Sequence, residues 1–268
     1  MKIKSVALLC GALALFSVTF ATAQSNVSVG VRGGFTLPNL TGGNSDNPLN
    51  TGYSTAMRTG AGIFADIKFS RLFSIQPMLE YSEQGAKKNG YQAMPANSQL
   101  ELVATLKRMD MPVPTYLYAN FNSAAKFNYL MLPVLAKFGW ELTKTSPFRI
   151  YIDAGPYAGL LVSAKQVTGG NSPIYLDEAK TMPLTMDPET GTLIPVSFDA
   201  TTDIKDQLHN WNVGFEGNVG LQYQIEKQHK IFLEVGGNYG LINIQKGTAN
   251  GKNHIGAATA MLGYAYTL

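Results

Sequence analysis

The sequence predicts an all-β fold: a small antiparallel up-and-down transmembrane β-barrel of about eight strands, with long outer loops and short periplasmic turns. Three observations predict it. Apolar and polar residues alternate with period two in one segment after another, which gives a strand one apolar face. Short and long connections between those segments take turns along the chain. The C-terminal strand carries large apolar and aromatic residues on a single face, as a lipid-exposed strand does near a membrane interface.

The N-terminus fits export. Lys2 and Lys4 precede an apolar run over residues 6–20, and Ala21-Thr22-Ala23 supplies small residues before Gln24. This is the layout of a cleaved secretory leader, residues 1–23, leaving a single outer-membrane barrel domain over 24–268. The run is shorter than the ~20 apolar residues of a helical span. Cys10 is the chain's one cysteine and leaves with the leader, which excludes disulfides, thiol catalysis and thiolate metal sites from the rest. The formal charge of +3 falls to about +1 without Lys2 and Lys4, too little to argue for nucleic acid.

The strands follow in order. Val27, Val29, Val31, Gly33 and Phe35 interleave with Ser28, Gly30, Arg32 and Gly34. Ala61, Ile63, Ala65, Ile67 and Phe69 oppose Gly62, Phe64, Asp66 and Lys68, and Phe73, Ile75, Pro77, Leu79 and Tyr81 oppose Ser74, Gln76, Met78, Glu80 and Ser82. Segments 127–140 and 149–163 are apolar on both faces, so alternation does not orient them. Val213, Phe215, Val219, Leu221 and Tyr223 face away from Glu216, Asn218 and Gln222, and Ile231, Leu233 and Val235 face away from Phe232 and Glu234. In the last strand Ala260, Leu262, Tyr264, Tyr266 and Leu268 oppose Met261, Gly263, Ala265 and Thr267. The links near 70–71, 140–148 and 225–230 are short, whereas those over 37–59, 84–126, 164–210 and 245–256 are long. Aromatics near strand ends suit a girdle at a lipid interface. A soluble lipocalin-like barrel, with its apolar face inside, is the competing reading.

Four segments resemble the PorT-like outer-membrane β-barrel family of Gram-negative bacteria: 73–85 (FSIQPMLEYSEQG), 129–137 (YLMLPVLAK), 154–161 (AGPYAGLL) and 238–244 (NYGLINI). The resemblance covers most of the chain outside the two longest loops, and implies a small outer-membrane barrel without implying an activity. Pro77, Pro133 and Pro156 fall inside strands, where each removes a ladder hydrogen bond and calls for bulges or local twists. The chain ends on Leu268 where the family more often has an aromatic, with Tyr264 and Tyr266 in the same register.

The polar faces place Arg32, Asp66, Lys68, Glu80, Glu216 and Glu234 in one narrow lumen, joined by Lys137 and Asp153 if the two ambiguous segments turn that way. Buried charges must be paired or hydrated. A structural ion-pair plug is the first reading, and a selective solute path the second. His209 (after Asp203 and Asp206), His229 and His254 offer thin material for general acid–base chemistry, and 247–253 fails the phosphate-loop spacing. No catalytic residue, cofactor or metal is expected.

In the loops, Ser98-Gln-Leu-Glu101 reads as a helix cap, while alternation of Leu100, Leu102, Ala104 and Leu106 reads equally as a hairpin. Residues 182–198 carry a turn signal at 187–191 between two extended runs. Tyr116, Tyr118 and Phe121 are candidates for a loop interaction surface. The expected function is an integral outer-membrane barrel with a plugged lumen that serves the envelope structurally or by surface interaction; a small porin is the alternative. The expected partners are outer-membrane lipid, the barrel-assembly machinery and an envelope protein, with no nucleic acid.

Overall fold

The computed structural model describes residues 26–42, 47–108, 110–143, 145–185, 187, 189–247 and 252–268. The expected leader, residues 1–23, lies outside them. Eight long strands close into one ring: β1 (Val27–Gly42), β2 (Arg58–Lys68), β3 (Phe73–Pro95), β4 (Tyr116–Glu141), β5 (Phe148–Gly169), β9 (Trp211–Gln224), β10 (His229–Gly240) and β11 (Asn253–Thr267). Each pairs antiparallel with its neighbour in the chain, and β11 closes on β1 from Ser28↔Thr267 to Gly42↔Asn253. Closure leaves no free edge in the membrane, where an unpaired backbone group would have no water to bond. Three short strands lie above the ring: β6 (Asn171–Ser172), β7 (Val196–Ser197) and β8 (Ala200–Asp203), the last paired to the upper part of β5.

The period-two pattern sets the faces. Along the lower part of β3 the even-numbered residues Ser74, Gln76, Met78, Glu80, Ser82 and Gln84 are buried, while Leu79 and Tyr81 are exposed. Outside, Val31, Ile63, Leu79, Leu132, Ile152, Val219, Leu233 and Leu262 form an apolar belt with one residue on each of the eight transmembrane strands. At the periplasmic end of the belt, Phe73 packs on Phe138 at 5.0 Å and Phe148 on Tyr223 at 4.9 Å between ring centroids, the interfacial girdle expected of such a wall.

The strands run beyond the expected bounds. The link placed at 84–126 is shorter, because β3 and β4 stay paired from Gln84↔Phe127 up to Pro95↔Tyr116. Its tip holds a helix, α1 (Leu100–Arg108), with Glu101 in the first turn and Lys107 and Arg108 in the last, which settles the helix-or-hairpin alternative there. Residues 182–198 add no strand to the ring; they contribute only β7, which pairs with β6.

The prolines are absorbed without loss of register. Beside Pro77 the ladder drops Ala65 and Asp66 from β2–β3 pairing and Met78 and Leu79 from β3–β4 pairing, then resumes in step. Pairing likewise lapses at Val134 and Leu135, opposite Gly155 and Pro156. One true shift occurs at Asn128/Tyr129, where Val162 is the extra residue on β5, so Leu161 and Ala164 both point inward.

Candidate functional site

The lumen is built in layers, and its middle layer is charged. Arg32, 4 % exposed on β1, donates from Nε to Glu80 Oε2 at 3.0 Å, from Nη1 to Glu234 Oε2 at 3.1 Å and from Nη2 to Glu216 Oε1 at 2.6 Å. Its Nη2 also contacts Glu80 Oε2. One planar guanidinium therefore ties β1 to β3, β9 and β10, a task for a five-donor fork that a lysine could not fulfil.

The ambiguous middle strands turn Lys137 and Asp153 inward as well. The Lys137 ammonium donates to Gln76 Oε1 at 3.0 Å, lies 3.9 Å from Glu234 Oε1 and sits 3.6 Å from the centre of the Tyr151 ring. Tyr151 OH donates to Glu234 Oε1 at 2.7 Å, and Asn218 Nδ2 bridges Asp153 Oδ1 at 2.8 Å and Glu216 Oε1 at 3.2 Å. Asp66 and Lys68 stand apart from this cluster. Asp66 is the cross-strand partner of Ser28 near the periplasmic end, where Lys230 Nζ donates to Ser28 Oγ at 2.9 Å; Lys68 is half-buried at the end of β2.

Apolar layers close the charged one on both sides. Toward the periplasm lie Phe64, Met78, Leu135, Tyr151, Phe232 and Ala265. Toward the outside lie Leu40, Phe127, Tyr129, Met131, Leu161 and Ile255 with neighbouring residues. Gln76, Tyr151 and Asn218 carry no charge, and Lys230 adjoins the expected turn at 225–230, so position alone marks these four: they share the inward parity of Glu80, Asp153, Glu216 and Glu234 on their own strands. An outer cavity of about 460 Å³, lined by Leu40, Tyr53, Lys88, Phe127, Leu208 and Ile244 among others, rests on the outer apolar layer.

Above the membrane the loops pack as a lobe. Met94, Ala96, Leu117, Ala119, Phe121, Ile174 and Phe198 form its core. Phe121, 8 % exposed and stacked on Phe198 at 4.7 Å, is thus part of that core and not of an accessible surface, because its odd-numbered parity on β4 turns it inward. Tyr116 is half-buried, with its hydroxyl 3.5 Å from Asn47 Oδ1. Tyr118 is half-buried in an aromatic group that spacing did not reveal: Tyr91 stacks on it at 6.1 Å and lies 6.0 Å from Tyr175, with Lys180 Nζ 4.4 Å from the Tyr91 ring centre.

The histidines are dispersed. His229 Nδ1 meets Tyr264 OH at 2.6 Å at the periplasmic start of β10, His254 Nδ1 lies 3.2 Å from Gly240 O, and His209 is exposed with its backbone N–H bonded to Ile244 O.

No curated protein matches the chain. Among solved structures, Neisserial surface protein A is similar at 9% identity, covering 90% of this chain and 97% of that one with a TM-score of 0.38. Ail of Yersinia pestis is similar at 11% identity over 90% and 98%, TM-score 0.37, and OprG of Pseudomonas aeruginosa at 8% over 91% and 97%, TM-score 0.36. Likenesses this remote carry no argument about activity. The family match is decisive: residues 22–246, well over half of the chain, fit the outer membrane protein beta-barrel domain. The chain belongs to that family and is an outer-membrane protein.

Proposed function

We propose that this barrel does not conduct, and that it acts as an envelope structural or surface-interaction protein through the lobe built by its outer loops. The observation that carries the reading is the stacking of the Arg32–Glu80–Glu216–Glu234 cluster between two apolar layers. A barrel of about eight strands has an interior that side chains alone can fill. The lobe supports the second half of the reading: it has its own core and holds Tyr91, Tyr118 and Tyr175 together at the outer end. Within the family, we place the chain with the PorT-like barrels on segments 73–85, 129–137, 154–161 and 238–244.

A small porin is the alternative, and one observation favours it. Among the described residues, Glu80 Oε1, Glu216 Oε2 and Asp153 Oδ2 are buried without a hydrogen-bond partner, so the lumen holds more acid than base. A vesicle-swelling assay separates the two. Vesicles carrying the folded protein are expected to swell in a small sugar no faster than protein-free ones. Swelling that scales with protein content contradicts the plugged lumen. Replacing residues 96–115 by a short turn is expected to leave the barrel assembled, since pairing of β3 with β4 is complete at Pro95↔Tyr116; loss of assembly would make this tip part of the wall.

A further inference from the structure

Lys126 on β4 and Lys165 on β5 are direct cross-strand partners. Both point outward, since their neighbours Phe127 and Ala164 are buried inside the barrel. Directly opposed residues have Cβ atoms about 4.5–5.5 Å apart, and like charges there destabilise the pair. Two more lysines join them. Lys87 on β3 is exposed and sits diagonally from Lys126, being paired with Ala124. Lys205 Nζ donates to Val162 O at 2.9 Å, which holds its ammonium against β5. Against these four lysines the same face offers two carboxylates, which keep their charge while accepting bonds from neutral donors and leave the face positive. Glu83 Oε2 accepts from Thr59 N at 3.2 Å and Oγ at 3.0 Å, and Asp203, opposite Lys165, accepts from Lys205 N at 2.9 Å. Among the described residues none of the four lysines forms an ion pair.

Height decides what this band meets. Directly below it on the same strands, Leu130, Leu132, Leu160 and Val162 are exposed to lipid. Lys126 lies four residues beyond Leu130, about 13 Å along a strand and less along the membrane normal once the strand tilts. That is the level of the outer headgroups, and long lysine stems can lean along apolar wall while the ammonium stays polar.

We propose that Lys87, Lys126, Lys165 and Lys205 form a binding site for the phosphate groups of a phosphorylated lipid in the outer leaflet, whose acyl chains lie on the belt beneath. The occupant is argued from excess positive charge and from continuity with the lipid-facing strip. A soluble anion would neutralise the charge but leave that adjoining strip unused. The site goes beyond the plugged-barrel reading and does not rest on it.

The test uses the folded full-length mature chain in an uncharged detergent, followed by native mass spectrometry with bisphosphorylated lipid A, the same lipid without phosphates, and inorganic phosphate. The bisphosphorylated lipid is expected to stay bound, and Lys126→Gln with Lys165→Gln to weaken it at least tenfold, about 1.4 kcal/mol. Replacing both lysines by arginine should preserve binding. With the repulsion removed, the glutamine variant should also melt higher than wild type in uncharged detergent and lose that advantage in vesicles containing the phosphorylated lipid. Equal binding by the glutamine variant, equal binding of the dephosphorylated lipid, or displacement by equimolar inorganic phosphate overturns the proposal. If the double variant fails to fold, Lys205→Gln on the loop is expected to weaken lipid binding severalfold, and unchanged binding there overturns it too.

Discussion

Arg32 Nη2 and Glu216 Oε1 meet at 2.6 Å across the lumen, joining β1 to β9, strands that are not neighbours in the ring. Backbone pairing holds each strand only to the two beside it. The contact through the middle therefore adds cross-lumen ties that the ladder does not supply, and the three carboxylates around Arg32 make them from β3, β9 and β10.

Removing the cation should be far worse than removing the whole cluster. Arg32→Ala leaves Glu80, Glu216 and Glu234 buried and uncompensated, and breaking a buried pair costs about 3–5 kcal/mol. Replacing all four by apolar residues of similar volume should be neutral or stabilising by comparison. Urea unfolding of the barrel in detergent, followed by heat-modifiable mobility, measures both. Equal losses in the two variants would contradict the ledger of charge burial.

Inner glycines should resist a methyl group. A Cβ on Gly220 would run into the Tyr151 ring, and one on Gly263 into the Phe232 ring. Both rings belong to the lower apolar layer, so the glycines are the recesses that let aromatic side chains fill a narrow lumen. Gly263→Ala is expected to destabilise by roughly 1–3 kcal/mol through overpacking, read from the same unfolding curves. No change would mean that Phe232 has room to move.

This packing also marks what the sequence could and could not reveal. Alternation placed Val31 outside and Arg32 inside, and the same parity holds for Leu79 against Glu80 and Leu233 against Glu234. It was silent over 127–140, because Phe127, Tyr129, Met131 and Leu135 are as apolar as the lipid-facing Leu130, Leu132 and Val134. Interior apolar layers erase the contrast on which the pattern depends. Lys137 and Asp153 therefore needed the register of β4 against β5, where they face each other, before they could be assigned. The lobe was harder still: Tyr91, Tyr118 and Tyr175 come together through pairing of distant segments, and no local period encodes that.

The belt should reject charge. Leu233 is 54 % exposed midway along β10, opposite Leu262 and Leu221 on its neighbours. Leu233→Arg is expected to cost about 2–4 kcal/mol in lipid vesicles. A penalty near zero in the same vesicles would mean that this face meets water.

The loop around Asp177 should loosen in acid. Its carboxylate accepts from Thr181 N at 3.0 Å, Thr181 Oγ at 2.8 Å and Met182 N at 2.7 Å. The Thr181 backbone N–H, aided by the Met182 N–H and the Thr181 hydroxyl, stabilises the carboxylate and holds its pKa below the ordinary aspartate value. A lowered value in the folded state means that the stabilisation is present above the unfolded value of about 3.9 and is lost as pH falls through the folded one. Amide hydrogen exchange at Thr181 and Met182, corrected for intrinsic rates, should stay slow at neutral pH and speed up in acid. Asp177→Ala should show the fast behaviour at neutral pH, and protection unchanged by that substitution would assign the order of the loop to other contacts.

The most direct test of a lumen closed by Arg32 and its carboxylates is single-channel recording of the folded wild-type protein in a planar bilayer, beside Arg32→Ala. The wild type is expected to give no conductance steps, while the variant, with its central tie removed, gives flickering openings. Steady, ion-selective steps from folded wild-type protein would contradict the plug and make the barrel a pore.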